Sequence, residues 1–274
     1  MNRFLRVVVS AVLVGAAVLI RPNVLVGLVV LAVVLVPLEL AFALHRRSPL
    51  RRGWRTDVAH FLVNSLLTNV GVIVVAVLVG LPLRALTPDL VRSTVLDLPA
   101  TAQFAVALGV VEMAAYWAHR ATHHVPLLWR FHKVHHAPTE LDWLAAAHLH
   151  PVDQIFVRSC AVIPLLVLGF SRATFGGYLV FAAFQAIFVH ANVRFRFGVL
   201  RWLVVTPEYH HWHHAGEREH LNHNFSGLPI IDAMFGTLHL PKRWPESYGI
   251  DEAQPETYLE QLRWSFHAPA GVPF

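Results

Sequence analysis

Apolar residues run along the first half of the chain in stretches too long for a soluble core. Phe4 to Ile20, Val24 to Leu44, Val58 to Leu83 and Ala100 to Ala118 each approach or exceed the roughly 20 residues that cross a bilayer core. A single run near the N-terminus could be a cleaved leader, but four of them predict a polytopic membrane protein. Further on, Ile155 to Phe170 and Thr174 to Val189 are shorter and separated by Ser171 and Arg172. Together they predict a helical hairpin, spanning or re-entrant, that returns the chain to the side it left. Polar sequence fills the stretch from His119 to Gln154 and resumes from about Arg194.

Composition agrees with this pattern. Of 274 residues, 55% are hydrophobic and 14% charged, against about 25% charged in a soluble domain. The lone cysteine, Cys160, excludes an internal disulfide, a four-cysteine cluster and a CxxC zinc site. The positive charge is uneven: Arg46, Arg47, Arg51, Arg52 and Arg55 crowd the loop after the second run, whereas Arg21 stands alone after the first. Between two spans such a cluster reads as a positive-inside topology signal and not as a nucleic-acid site. A cytoplasmic Arg loop makes the N-terminus, with Arg3 and Arg6, cytoplasmic as well. It also delivers His119, at the end of the fourth run, to the same side.

Histidine carries the chemistry. Sixteen of the nineteen histidines lie between His119 and His239. His119 and His123 form HxxxH, while His132, His135, His136 and His210, His213, His214 form two copies of HxxHH. Residues i, i+3 and i+4 share a helical face, so each segment can offer its imidazoles to one side. Eight imidazoles exceed what one ion takes, and two metals are the economical reading. Imidazole suits iron, zinc, copper or nickel. His124 lies roughly 140° around the helix from His119 and ranks behind His123. His211 is off the HxxHH face, and His223 and His239 rank lower still. His45, His60, His220 and His267 read as ordinary surface, capping or core residues. Glu112, seven residues before His119 and inside an apolar run, is a candidate to accept the second N–H of a metal-bound histidine, as are Asp153 and Asp232.

The motifs Tyr116-Trp-Ala-His119-Arg-Ala-Thr-His123, Leu128-Trp-Arg-Phe-His132-Lys-Val-His135-His136, Thr206-Pro-Glu-Tyr-His210-His-Trp-His213-His214 and Asp232-Ala-Met-Phe235-Gly236-Thr237 resemble the fatty acid hydroxylase superfamily, also called the sterol desaturase family. The resemblance covers roughly Asp57 to Leu240. It implies an integral-membrane oxygenase with a His-ligated di-iron centre at the cytoplasmic mouth of a helical bundle. Phe188-Val-His190-Ala-Asn192 resembles the family's FxHxN element, which implies His190 as a ninth ligand with Asn192 beside it. His148-Leu-His150-Pro151-Val-Asp153 resembles an Arg-x-His-Pro-x-Asp/Glu element, with His148 standing where arginine is expected. Asn222-His223-Asn224-Phe225 matches an Asn-Tyr-Gly element loosely.

The expected architecture is therefore all-α: four or more transmembrane helices plus a hairpin, under a cytoplasmic His-rich catalytic cap. Residues 1–56 form N-terminal helices and the Arg-rich loop, 57–240 a hydroxylase-like membrane domain, and 241–274 a cytoplasmic tail. In that tail, Thr257 to Phe266 can form a short amphipathic helix against membrane or cap. The expected ligands are His119, His123, His132, His135, His136, His190, His210, His213 and His214, with Glu112, Asn192 and Asp153 supporting catalysis. The expected reaction is hydroxylation or desaturation of a fatty acyl, sterol or related lipid, with O2 as co-substrate. Zinc can replace iron in purified protein. No haem, flavin or GxGxxG element is present, so electrons come from a separate ferredoxin or cytochrome with its reductase. A zinc hydrolase would need the general-base glutamate of HExxH, which these clusters lack. A metal transporter would carry its polar residues at mid-membrane, whereas these histidines sit at span ends and beyond.

Overall fold

A computed structural model describes residues 22–267. The first apolar run, Phe4 to Ile20, lies outside the described residues. Among the described residues the fold is helical, with isolated bridges Ala43–Val193 and Ala215–Tyr248 in place of strands. Helix α1 spans Pro22–Phe42 and α2 spans Trp54–Leu86, with a π-helical segment at Ala76–Gly80. The short α3 (Asp89–Leu96) leads to α4 (Ala100–His124) and α5 (Pro126–His136). The hairpin follows as α6 (Pro151–Leu168) and α7 (Arg172–Phe188). Short helices α8 (Pro207–His213) and α9 (Pro229–Met234) and the terminal α10 (Tyr258–His267) complete the cap.

The apolar runs form these helices for readable reasons. Helices α1, α2, α4 and α6 are each long and apolar enough to cross a membrane. Helix α1 leaves Val26, Val33 and Val34 exposed, the last two at 68% and 60%, as a lipid-facing helix must. Ala107 and Val111 of α4 pack with Leu165 of α6 and Tyr178 of α7 to form the core of the bundle. Gly71 on α2 permits close approach of α6, because a Cβ there would collide with the Ile155 side chain. The hairpin turns where Gly169 adopts φ 76° and Ser171 caps α7, its Oγ accepting from Thr174 N.

Two local signals aim α4 and α5 at each other. Helix α4 continues beyond its apolar run to His124, which places His119 and His123 on consecutive turns of one helix. Val125 then turns extended (φ −96°, ψ 114°) because Pro126 follows it and opens α5.

One end of the bundle gathers the polar sequence. The end of α1 meets the end of α7 through Leu44 N→Asn192 O and Arg194 N→Phe42 O. Arg51, in the turn before α2, bonds Asp57 at 2.6 Å and Asp142 at 2.7 Å. This corrects its reading as a simple topology residue: Arg51 is 7% exposed and its charge is spent on two aspartates. Helix α10 docks on α2, with Tyr258 donating to Asn64 at 2.9 Å. Lys133 of α5 pairs with Glu252 at 2.6 Å and lies over the Trp264 ring. The amphipathic tail segment thus packs on the cap itself.

Candidate metal centre

Nine imidazoles from four segments converge beside the ends of α4, α6 and α7. His119, His123, His132, His136 and His213 place one nitrogen each within 4.8 Å of one another, and His135, His190, His210 and His214 do the same in a second group. The HxxHH segments are shared between the groups. On α5, His132 and His136 serve the first group and His135 the second. On α8 the roles reverse, with His210 and His214 in the second group and His213 in the first. Positions i and i+4 are about 40° apart around a helix, whereas i+3 and i+4 are about 100° apart, so the seam between the groups falls there. The stacked rings of His136 and His214, 4.5 Å apart, join the two halves.

The hydrogen bonds fix what each ring presents. His119 Nδ1–H donates to Phe225 O at 2.8 Å, and His213 Nδ1–H to His223 O at 2.7 Å. His190 donates likewise to Ala186 O at 2.7 Å and His135 to His148 O at 3.2 Å. His132 Nδ1–H donates to both oxygens of Asp153 at 3.1 Å. A neutral imidazole protonated at Nδ1 carries a lone pair at Nε2. Yet His119 Nε2 faces His132 Nε2 at 3.2 Å, and His135 Nε2 faces His190 Nε2 at 3.3 Å. No proton is left to sit between these lone pairs. In addition, both nitrogens of His123, Nδ1 of His136 and His214, and Nε2 of His213 are buried without a partner. A cation in each group satisfies this donor set.

Burial first, and the neighbouring imidazoles second, hold His135, His136, His210, His213 and His214 well below the usual histidine range. Burial brings His190 down to about 4. The rings are therefore neutral, the form that binds metal.

A loop sets two histidines of the first group. Phe225 N and Ser226 N donate to Asp232 at 2.8 and 2.9 Å, and Gly227 N donates to Glu112 at 2.9 Å. Three consecutive amides are thus held by two buried carboxylates. Asn224 has φ 62°, a left-handed conformation asparagine tolerates better than most side chains. It stands where the resemblance expects glycine. Its Nδ2 donates to Tyr209 O and His239 O, fixing the segment that carries the His223 and Phe225 carbonyls.

The supporting residues separate accordingly. Asp153 touches His132 directly. Glu112 does not accept from a histidine. Its second oxygen takes the Tyr178 hydroxyl at 3.0 Å, so its effect on His119 passes through the loop. Asn192 faces away from the metal groups, its amide bonded to both backbone groups of His45, so its placement makes it a strut between α1 and α7. His148, in the expected arginine position, bonds Asp57 and Gln254 through its ring, and its carbonyl accepts from His135. His150 caps α6, accepting from Val152 N at 3.1 Å. His124 is exposed and donates to Arg120 O. His211 bonds Tyr248 and Ala191 O, while His220 and His239 stack on each other beside Trp212. The backbone acceptors Phe225, His223 and Ala186 escaped sequence reasoning, since a carbonyl leaves no residue-type signal.

Asp153→Asn tests the carboxylate contact. The expected outcome is a loss of metal affinity of about 10–100-fold, read by metal content after dialysis, with unchanged membrane yield.

Residues 104–237 match the fatty acid hydroxylase family. The chain is 36% identical over 168 residues to an ornithine lipid hydroxylase of Rhizobium tropici, covering 60% of this chain and 50% of that protein. It is 28% identical over 158 residues to an alkylglycerol monooxygenase of Homo sapiens, covering 57% and 34% respectively. It is 32% identical over 142 residues to a very-long-chain aldehyde decarbonylase of Oryza sativa, covering 47% and 22%. The chain spans half or less of the length of these curated relatives. No solved structure matches it. The matched stretch holds all nine converging imidazoles together with Glu112, Asp153 and Asp232, so the histidine groups lie inside a fatty acid hydroxylase domain over residues 104–237.

Proposed function

We propose that this protein is a membrane-bound di-iron oxygenase that hydroxylates or desaturates a C–H bond of a lipid. The observation that carries the reading is the pair of neutral imidazole groups with opposed lone pairs, free of thiolate, at the end of the bundle where the spans emerge. Such a donor set suits an iron pair better than the thiolate-rich sites of structural zinc. His119, His123, His132, His136 and His213 would hold one iron, and His135, His190, His210 and His214 the other. Bound there, the irons supply reductive activation of O2 and oxidation of an unactivated C–H bond.

The chain's own residues position and exclude. Asp153 and the backbone carbonyls orient the ligand rings, and Tyr116, Phe225 and Ile231 pack a dry wall beside His119. A lipid entering sideways from the bilayer presents its chain without crossing water. For hydroxylation the balance is one O2, two electrons and two protons, giving one alcohol and one water. The electrons come from a separate ferredoxin or cytochrome with its reductase. The Arg-rich loop and the metal groups share one end of the bundle, which we assign to the cytoplasm.

Lipid mass spectrometry of cells with and without the protein tests this reading. One lipid class should gain one oxygen atom or lose two hydrogens, and ¹⁸O2 should label the gained oxygen. Turnover that persists without O2, or label arriving from water, would identify a hydrolase instead.

A further inference from the structure

The Arg-rich loop encloses something the metal chemistry does not use. Between the end of α1, the loop to α2 and residues 192–194 lies a cavity of about 340 Å³, within the range of small-molecule sites. Arg46, Arg47 and Arg194 line it. Arg46 and Arg194 have no carboxylate partner among the described residues, and Arg47 reaches Glu140 only at 3.9 Å. The Arg47 Nη1 atom is buried with no hydrogen-bond partner. Asp142, also at the wall, is neutralised by Arg51. The remaining acid is Glu39. Its Oε1 accepts from Trp143 N at 2.8 Å and Asn192 N at 2.9 Å, while its Oε2 has no partner among the described residues.

The cavity therefore combines two guanidinium groups without a carboxylate partner, a third that is only weakly paired, and one available carboxylate oxygen. Its remaining wall is mixed, with Ser48 and Asn192 beside an apolar side. Val36 and Leu40 extend it onto α1, where Leu40 is 58% exposed and continuous with the lipid-facing stripe through Val33. Arg46 and Arg194 stand exposed at the mouth of this cavity, while the half-buried Arg47 turns its unpartnered Nη1 away from solvent. A free anion would use the guanidinium groups and leave both the apolar wall and Glu39 idle. A lipid uses all three features, with its headgroup among the charges and its first acyl carbons along α1.

We propose that this cavity seats the headgroup of a membrane lipid bearing an anionic phosphate or carboxylate and a primary ammonium. The anion sits among Arg46, Arg47 and Arg194, and the ammonium against Glu39. The site is independent of the oxygenase reading, because no metal or turnover is needed to fill it.

The test reconstitutes the full chain in phosphatidylcholine nanodiscs doped with phosphatidylethanolamine or phosphatidylglycerol. Lipid retained after detergent extraction and gel filtration is then counted by mass spectrometry. Phosphatidylethanolamine should be retained at least about fivefold over its bulk share. Arg46→Gln combined with Arg47→Gln should return retention of both dopants to about their bulk share, as loss of charge-assisted bonds requires. Glu39→Gln should turn the preference towards phosphatidylglycerol. The exposed Arg46→Gln alone, with membrane yield and metal content unchanged, guards against a folding artefact and should still lower retention. Retention at bulk composition in the wild type, or equal retention in the arginine variants, would overturn the proposal. Displacement of the lipid by inorganic phosphate at about 10 mM, where charge alone would suffice, would reassign the cavity to a free anion.

Discussion

Replacing His213 by alanine is expected to lower bound metal from about two equivalents per chain to about one and to reduce turnover by more than about 100-fold. His213 is the α8 residue that crosses into the five-histidine group, and its Nε2 is buried without a protein partner. His135→Ala should have the same size of effect on the other group, since His135 is the residue that crosses from α5. Both variants should reach the membrane in normal amount, because each removes a side chain that faces the metal groups. His124→Ala is the contrast. That side chain is exposed and bonds only the Arg120 carbonyl, so turnover should stay within about twofold of wild type, the range of a surface change. Metal analysis and O2-dependent turnover on the three purified proteins decide the matter. Full metal and activity in His213→Ala would remove that histidine from the ligand set, and an equal loss in His124→Ala would place the wrong face of α4 at the centre.

Much of this centre was legible because helical periodicity is rigid. The HxxxH and HxxHH spacings place imidazoles on one face of a helix whatever lies around it, and the apolar runs fix where each helix leaves the bilayer. What spacing does not contain is the relation between helices. The division of each HxxHH between two metal groups depends on how α5 crosses α8, which no local pattern encodes. The same limit explains Glu112. Its register seven residues before His119 suggested a direct contact, but the loop carrying Phe225 and Gly227 comes between them and takes the carboxylate's bond. Arg51 shows the limit from the other side. Composition groups it with four neighbouring arginines, and only tertiary contact separates the buried one, bonded to Asp57 and Asp142, from exposed ones such as Arg46 and Arg52.

Asp232→Asn is the second large effect expected, and it acts without touching any histidine of the two groups. Asp232 is fully buried and accepts from Phe225 N, Ser226 N, Thr237 Oγ1 and Tyr209 OH, the last at 2.5 Å. An asparagine of the same shape turns an NH2 towards one of these oxygen positions; the hydroxyl there can rotate to accept from it, but the backbone amide, Phe225 N–H or Ser226 N–H, is left unsatisfied. The cost is about 2–4 kcal/mol of stability, read as a lower melting temperature. Because the loop amides then shift, the Phe225 and His223 carbonyls lose their hold on His119 and His213. Both of those rings belong to the five-histidine group, whereas the four-histidine group takes its backbone bonds from Ala186 and His148. Metal affinity should therefore fall about 10–100-fold at one group only, giving two-step metal release where wild type holds both ions. Asp251→Asn, which removes an exposed pair with Arg218, should change stability by less than about 1 kcal/mol and leave metal release unaltered. Equal weakening of both groups in Asp232→Asn would mean that the carboxylate supports the cap as a whole; selective weakening assigns it to the orientation of His119 and His213.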